Sequence, residues 1–250
     1  MTSIGEIPGG CNRLKHLLYP FHGSYPLKLW SKYRWWKNCK LKRELYFLNN
    51  AKGWLTVIDR LGAPGDALIT ANVIRCIKKK YSQLMVNCIT PHPKLIRFDP
   101  SIDSINCKES FYSFDSSYWE LIVRKEKREN IIAHNLCRIG IDEHEYRAKF
   151  YLSEEERKWA KQLVDVVPKP VIAICTQSKE VVKNWALDHW VELINSISPD
   201  FSIIQLGDDK EPELEKVIRF AGKHTMRESA AILSHSDLFI GPDSLLMHIA

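Results

Sequence analysis

One loop of the sequence combines flexible backbone with a carboxylate that could accept a proton. The segment RLGAPGD, residues 60–66, holds two glycines and ends on an aspartate. Gly62 and Gly65 would let a ligand approach the backbone closely, and Asp66 could act as a general base. Asp66 also stands where a helix is predicted to begin, so a plain helix-capping carboxylate is the competing interpretation.

A second loop offers hydrogen-bond donors and positive charge. It covers residues 175–185, CTQSKEVVKNW, and follows a short apolar run. Lys179 and Lys183 could neutralise a phosphate group, because lysine is a point-charge donor suited to a diphosphate. A solvated surface loop remains the alternative. The neutral donors of this loop are Thr176, Gln177 and Ser178.

A third loop stands near the end of the chain. In GPDSLLMHIA, residues 241–250, Asp243 and Ser244 precede a predicted helix, and His248 lies within it. A helix N-terminus exposes free N–H groups and the positive end of the helix dipole, which favours anions. The alternative is an ordinary Asp or Ser cap with a histidine on the surface.

Short apolar runs followed by helical patterns place all three loops in an α/β fold. Residues 54–58 and 84–89 are predicted strands, and the segment from 67 to 80 between them has helical periodicity and ends in three lysines. This β-loop-α-β unit predicts a parallel pair of strands. Further strands are expected at 118–124, 171–175, 201–207 and 237–241, and further helices at 129–141, 152–167, 185–197, 211–222 and 228–236.

The pattern starts twice, which predicts two doubly wound, Rossmann-like domains with ligands beyond the carboxyl ends of the strands. PKP at 168–170 marks the expected boundary. We therefore predict a basic aromatic extension over 1–50, a first domain over 51–168 and a second, partial domain over 169–250.

Charge is concentrated at the N-terminus. Residues 1–50 hold nine Lys or Arg and two acids, whereas residues 51–250 hold 27 and 28. The globular part therefore has no excess positive charge typical of a nucleic-acid binder. Seven cysteines without a C-x-x-C pair indicate free thiols in a reducing cytosol rather than a zinc site. No apolar run is long enough to span a membrane, so we expect a cytoplasmic protein.

Residues 27–48, LKLWSKYRWWKNCKLKRELYFL, interleave aromatic and basic side chains. One interpretation is an interfacial helix on the anionic inner face of a membrane, with its aromatic rings at headgroup depth. The other is an amphipathic helix packed on the body of the protein, with its basic side in water.

Taken in order, the motifs RLGAPGDALIT, KNWALDHWVELI and GPDSLLMHIA resemble the signatures of glycosyltransferase family 9, the heptosyltransferases of lipopolysaccharide core assembly. The resemblance spans about 53–250 and includes FDPSIDSI. It implies a two-domain GT-B fold in which the first domain holds the acceptor and the second holds a nucleotide sugar, with an ADP-heptose-type donor. The implied reaction is inverting transfer from that sugar to a hydroxyl of a glycan or lipid-linked acceptor.

The resemblance also implies residue roles. Asp66 would be the general base, beside Gly62 and Gly65 in the acceptor loop. Lys183 would bind the donor diphosphate and offset charge on the leaving group. The remaining donor-site residues would be Thr176, Ser178, Asp243, Ser244 and His248. The resembled family is expected to need no metal and no cofactor beyond the co-substrate.

Two departures from the family pattern leave alternatives open. Leu245 stands where the family has a small residue, and it could crowd a phosphate. The family's chain also continues past MHIA, so we expect a C-terminally incomplete transferase. A catalytically impaired binding module with the same fold is the alternative. A nicotinamide oxidoreductase fits less well, because GAPGD is not G-x-G-x-x-G.

Overall fold

A computed structural model describes residues 38, 40–118, 121 and 130–250 of the protein. The chain divides into two compact units, Met1–Arg147 and Ala148–Ala250. No helix among the described residues is long and apolar enough to cross a membrane. Apart from Tyr118 and Leu121, the strand predicted at 118–124 lies outside the described residues, as does much of the 27–48 segment.

The first unit is built on a four-stranded parallel sheet of order β3-β2-β1-β4. Its strands are β1 Trp54–Asp59, β2 Met85–Ile89, β3 Ser104–Ile105 and β4 Tyr112–Ser116. Its helices are α1 over 40–50, α2 Pro64–Lys80, α3 Pro93–Ile96 and α4 Ile131–Cys137.

The apolar run of β1 forms a central strand. Leu55 and Val57 are fully buried, as expected for a strand covered on both faces. Helix α2 begins three residues earlier than its periodicity predicted, because Pro64 suits the first helical turn. Asp59 ends β1 five residues before the helix begins, and the candidate residues of this unit lie in the intervening turn and the first turn of α2.

The second unit repeats this architecture. Its parallel sheet has the order β7-β6-β5-β8. The strands are β5 Val171–Ile174, β6 Ser202–Gln205, β7 Ile218–Arg219 and β8 Leu238–Ile240. The helices are α5 Glu154–Val164, α6 Leu187–Ile197, α7 Met226–Leu233 and α8 Leu245–Ile249, with a 3₁₀ turn at Val181–Lys183.

Helix α5 belongs to the second unit, so the division falls about twenty residues before the PKP segment at which the sequence was divided. Ser153 and Glu156 form a capping box that starts α5. Ala160 and Val164 then pack with Val171 and other residues of the second sheet in one core cluster. Burial of this helix face places the helix with that sheet.

The prediction of a helix over 211–222 is wrong. Its charged and apolar residues have a helical spacing, but the chain instead runs through a loop into the short strand β7. Side-chain hydrogen bonds explain the difference. Glu211 is 4% exposed and accepts hydrogen bonds from the loop after β5, while Arg219 donates to the carbonyls of Glu211 and Pro212.

Candidate functional site

In the first unit, Asp66 occupies the first turn of α2 and is 8% exposed. Its Oδ2 accepts a hydrogen bond from the backbone N–H of Ala63 at 3.2 Å. Its Oδ1 accepts from the Tyr118 hydroxyl at 3.0 Å. One oxygen thus has the capping role, while the other already binds a hydroxyl group, the group that a general base must engage.

The turn before Asp66 depends on Gly62, whose φ of 73° lies in the left-handed region that favours glycine. The Gly62 N–H donates to Asp59 Oδ1 at 3.0 Å, and the Gly62 carbonyl lies 3.0 Å from His92 Nε2. Gly65, in contrast, lies within helix α2.

Asp59 was not among the residues predicted from the sequence. This residue ends β1, is 1% exposed and accepts a second hydrogen bond from Thr90 Oγ1 at 2.9 Å. Burial raises the pKa of Asp59 to about 6, and the charge of Asp66 acts in the same direction. The only sequence signal was its position at the end of a buried strand.

In the second unit, three of the predicted donor-site residues come together. Lys183 Nζ lies 3.0 Å from Asp243 Oδ2, and His248 Nε2 lies 3.6 Å from Asp243 Oδ1. Glu180 Oε2 is a further 3.3 Å contact of Lys183. β5 and β8 are adjacent in the sheet, so the loops that follow them meet at one edge, as the sequence predicted.

The exposed ion pairs of Lys183 leave its ammonium group open to an anionic ligand. The hydrogen bond to Asp243 raises the pKa of Lys183, so the ammonium group stays charged. The Lys183 and Asp243 side chains are 33% and 55% exposed, and exposed ion pairs are weak, contributing about 0–1 kcal/mol. A diphosphate could therefore replace the carboxylates at little cost.

Ser244 is the N-cap residue of α8, but its side chain makes no capping hydrogen bond. Its Oγ is buried and has no hydrogen-bond partner among the described residues. A buried hydroxyl without a partner is rare in proteins. Leu245 is the first residue of α8.

Thr176 is placed differently from its expected role as an open donor. It is 2% exposed, and its hydroxyl donates to Glu211 Oε2 at 2.6 Å. The N–H groups of Thr176 and Gln177 also donate to the Glu211 carboxylate, at 2.9 and 3.0 Å. Glu211, which the sequence analysis did not single out, therefore holds the start of the predicted donor loop.

Ser178 and Lys183 are linked through Asn184. Asn184 Oδ1 accepts from the Ser178 N–H at 2.6 Å, and Asn184 Nδ2 donates to the Ser178 carbonyl at 3.2 Å. This pair of hydrogen bonds closes the loop over residues 178–184 and fixes the backbone from which the Lys183 side chain extends. Lys179 is exposed on the same loop.

Comparisons with known proteins identify the family and the fold of the chain. The family model for glycosyltransferase family 9 (heptosyltransferase) matches residues 112–250, more than half of the chain. Lys183, Asp243 and His248 lie inside the matched residues and Asp66 lies before them. The chain is also 27% identical over 124 residues to the lipopolysaccharide core heptosyltransferase OpsX of Haemophilus influenzae. That match covers 45% of this chain and only about a third, 35%, of the relative.

Solved structures show the same fold. A glycosyltransferase family 9 protein from Veillonella parvula matches with a TM-score of 0.65 and 13% identity, over 78% of this chain and 76% of that one. E. coli ADP-heptose lps heptosyltransferase II matches with a TM-score of 0.56 and 15% identity, over 78% and 81%. The α/β fold with two parallel sheets, predicted as GT-B, is thereby confirmed.

One expectation is overturned. The resemblance implied that such proteins need no metal, but a third structural match is described as the iron-containing dodecameric glycosyltransferase TibC of enterotoxigenic E. coli. It has a TM-score of 0.61 and 19% identity, over 79% of this chain and 55% of that one. Among the described residues of our chain, no group of three or more His, Cys, Asp or Glu side chains is arranged to hold a metal ion. These residues do not fit an iron site.

The resemblance stated from three short motifs is confirmed by the match of more than half of the chain, and the clustered Lys183, Asp243 and His248 fall inside that match. The chain belongs to glycosyltransferase family 9 (heptosyltransferase).

Proposed function

We propose that this chain is an inverting glycosyltransferase that moves a heptose-like sugar from a nucleotide-diphosphate sugar to a hydroxyl of a glycan or lipid-linked acceptor. The observation that carries the proposal is the cluster of Lys183, Asp243 and His248 at the carboxyl ends of β5 and β8. Lipopolysaccharide core assembly is the proposed setting, supported by the name of the relative OpsX.

On the donor side, Lys183 would bind the diphosphate in place of Asp243 and Glu180. As the bond between the anomeric carbon and the diphosphate breaks, negative charge grows on the leaving nucleoside diphosphate, and the ammonium group stabilises it. Ser244, whose Oγ has no hydrogen-bond partner in the described part of the chain, and His248 would complete the site. An ADP-linked donor is supported by the structure of TibC in complex with ADP-D-beta-D-heptose, at a TM-score of 0.59 and 17% identity.

On the acceptor side, Asp66 would take the proton of the acceptor hydroxyl as its oxygen forms the new bond to the anomeric carbon. The Tyr118 hydroxyl donates to Asp66 Oδ1 at 3.0 Å, which supports a hydroxyl group as a partner of this oxygen. The acceptor hydroxyl would take the place of Tyr118 there. The first unit, with Gly62 and Gly65, would hold the acceptor, and the second unit, which includes α5, would hold the nucleotide sugar.

We also propose peripheral contact with the inner face of a membrane through residues 27–48. In the described part of this segment, Tyr46 and Phe47 are 63% and 67% exposed, and Lys40, Lys42 and Arg43 are exposed on the same helix. Exposed aromatic and basic side chains together favour an anionic lipid surface. Flotation with anionic vesicles tests this: the double variant Tyr46→Ser, Phe47→Ser should bind less, and unchanged binding would argue against contact through this helix.

The donor proposal is tested by thermal unfolding of the 250-residue chain with ADP-, GDP- and UDP-sugars. A ligand at about 100 times its dissociation constant stabilises the native state by about 2.7 kcal/mol, and the effective nucleotide identifies the base. Lys183→Ala should abolish the shift. Lys179→Ala, which removes a charge from the same loop, is the matched control and should retain most of it.

Release of nucleoside diphosphate in the presence of acceptor then separates transfer from binding. Binding with transfer that is lost in Asp66→Asn supports the full proposal. Binding without transfer, across a panel of acceptors, would favour the alternative of a binding module. A wild-type chain that unfolds cooperatively but responds to none of the nucleotide sugars would contradict the proposed donor site.

A further inference from the structure

Two carboxylates accept hydrogen bonds from adjacent backbone amides of one turn in the first unit. The N–H of Gly62 donates to Asp59 Oδ1 at 3.0 Å, and the N–H of Ala63 donates to Asp66 Oδ2 at 3.2 Å. The geometry of the turn therefore couples the position of Asp66 to the side chain of Asp59. Asp59 is itself anchored, because it ends the central strand β1.

Asp59 is buried without a balancing positive charge. Among the described residues no ion pair joins it to a cation, and Arg60 instead pairs with Asp115 of β4 at 2.7 Å. The titratable groups that face it are Asp66 from α2 and Cys88 from β2, and His92 contacts the same turn through the Gly62 carbonyl. Neither Asp66 nor a buried thiol can neutralise a carboxylate.

The second donor to Asp59 extends this arrangement to the next strand. Thr90 Oγ1 donates to Asp59 Oδ2 at 2.9 Å and accepts from the N–H of His92 at 3.2 Å. His92 in turn reaches the Gly62 carbonyl at 3.0 Å. The hydrogen bonds form a closed ring through Asp59, Gly62, His92 and Thr90, which holds the turn from both its amide and its carbonyl side.

We propose that Asp59 is a positioning residue for Asp66. The ionised Asp59 carboxylate holds the Gly62–Ala63 turn in the geometry that presents Asp66 to the acceptor hydroxyl. This inference rests on the proposed function for its consequence in catalysis, but not for the coupling of the two carboxylates. Hydrogen bonds to a charged acceptor are stronger than those to a neutral one. Protonation of Asp59 therefore loosens the turn.

The consequence is a dependence on pH with a midpoint near the pKa of Asp59, about 6. Above this pH, Asp59 is ionised and the turn is held. Below it, the carboxyl group can donate to Thr90 but offers the Gly62 amide only a neutral oxygen. The change should appear at the amides of Gly62, Ala63 and Asp66 both with and without bound substrate.

The first arm of the test is a ¹⁵N–¹H NMR titration of the full chain between pH 4.5 and 8. The amide signals of Gly62 and Ala63 should shift together with a midpoint near 6 in the wild type, and this step should be absent in Asp59→Asn. Asp103→Asn is the matched control, because Asp103 accepts from Lys78 and the Val86 N–H outside the turn. It should keep the step.

The second arm is the pH profile of sugar transfer. Asp59→Asn should lower kcat/KM at pH 8 by about tenfold, the loss expected when a charge-assisted hydrogen bond becomes neutral, and should flatten the wild-type fall below pH 6. If Asp59→Asn does not fold, Thr90→Val replaces it: loss of the hydroxyl donor should move the midpoint to higher pH.

The two arms separate the possible failures. A wild type that transfers no sugar, but whose turn amides titrate together, contradicts the proposed function and leaves the positioning role intact. Turn amides that ignore pH in the wild type, or that titrate unchanged in Asp59→Asn, overturn the inference. The same holds if transfer by Asp59→Asn follows the wild-type pH profile.

Discussion

The two sheets of this protein have the same strand order, yet the loops at their carboxyl ends carry opposite chemistry. In the first unit two carboxylates, Asp59 and Asp66, flank the turn after the central strand β1 and accept from its amides. In the second unit the loops after β5 and β8 bring Lys183 and His248 to Asp243. The scaffold is repeated, and the side chains beyond the strands make the difference. Those of the first unit could accept a proton, and those of the second could bind an anion.

Each loop is also held by a buried carboxylate, but the two are satisfied to different extents. Asp59 accepts from Gly62 and Thr90. Glu211 accepts from the N–H groups of Thr176 and Gln177, the Thr176 hydroxyl, the Cys175 thiol and the Gln205 amide. With these donors Glu211 serves as a structural anchor for its loop, whereas burial of Asp59 raises the pKa of that carboxyl group to about 6.

The largest expected effect is on Glu211. Glu211→Ala leaves several buried donors without an acceptor, each at a cost of about 1–3 kcal/mol before water enters. We expect the free energy of unfolding to fall by about 4 kcal/mol, measured by urea denaturation. Glu213→Ala, at an exposed position of the same loop, should change it by less than about 0.5 kcal/mol. Equal effects of the two variants would remove the distinction between anchor and surface.

The pH dependence of stability tests the other carboxylate. The folded-state pKa of Asp59 is raised from 3.8 to about 6, so between these values the folded protein retains a proton that the unfolded chain releases. Its contribution to stability is complete below about pH 3.8 and is lost as the pH rises through 6, by about 3 kcal/mol. Asp59→Asn should abolish this loss in denaturation curves compared at pH 4.5 and 7. A constant difference between wild type and variant would contradict the assignment.

Much of the fold was predictable from local signals. Apolar runs identified β1 and β5, and a serine cap followed by three glutamates identified the start of α5, because these features act within a few residues. The 211–222 segment was mispredicted because Glu211 accepts from Thr176 and Arg219 donates to Gln205, and both partners lie outside the segment. Periodicity carries no information about such partners.

The site was predictable to the extent that topology decides it. Lys183 and Asp243 follow adjacent parallel strands, so their meeting followed from the β/α pattern. The roles of Asp59 and Glu211 were not predictable, since a carboxylate at the end of a strand or in an acidic loop gives no sign of its burial. The enclosure of Thr176 by Glu211 was missed for the same reason.

The two glycines of the RLGAPGD segment should respond in opposite directions. Gly62→Ala forces an L-residue into a left-handed conformation and should destabilise the protein by about 1 kcal/mol. Gly65 is helical, so Gly65→Ala should stabilise it by about 0.5–1 kcal/mol. Urea denaturation measures both. A more stable Gly65→Ala variant that transfers sugar poorly would support close approach of the acceptor to this backbone, whereas a destabilised one would show that the alanine methyl clashes within the fold.

The smallest expected effect concerns competition for Lys183 in the second unit. Glu180 contacts Lys183 at 3.3 Å, and its side chain is 66% exposed, so the pair is worth well under 1 kcal/mol. Glu180→Gln should therefore tighten binding of a nucleoside diphosphate only about two- to threefold, measured by calorimetry at low salt. Because the first unit's turn presents carboxylates rather than a lysine, Asp66→Asn should leave this binding unchanged.

Glu192→Gln removes the same charge from α6 and controls for the net charge of the unit. Equal tightening in both glutamate variants would mean that long-range charge acts on the anion, whereas weaker binding in Glu180→Gln alone would mean that Glu180 holds Lys183 in place for the ligand instead of competing with it.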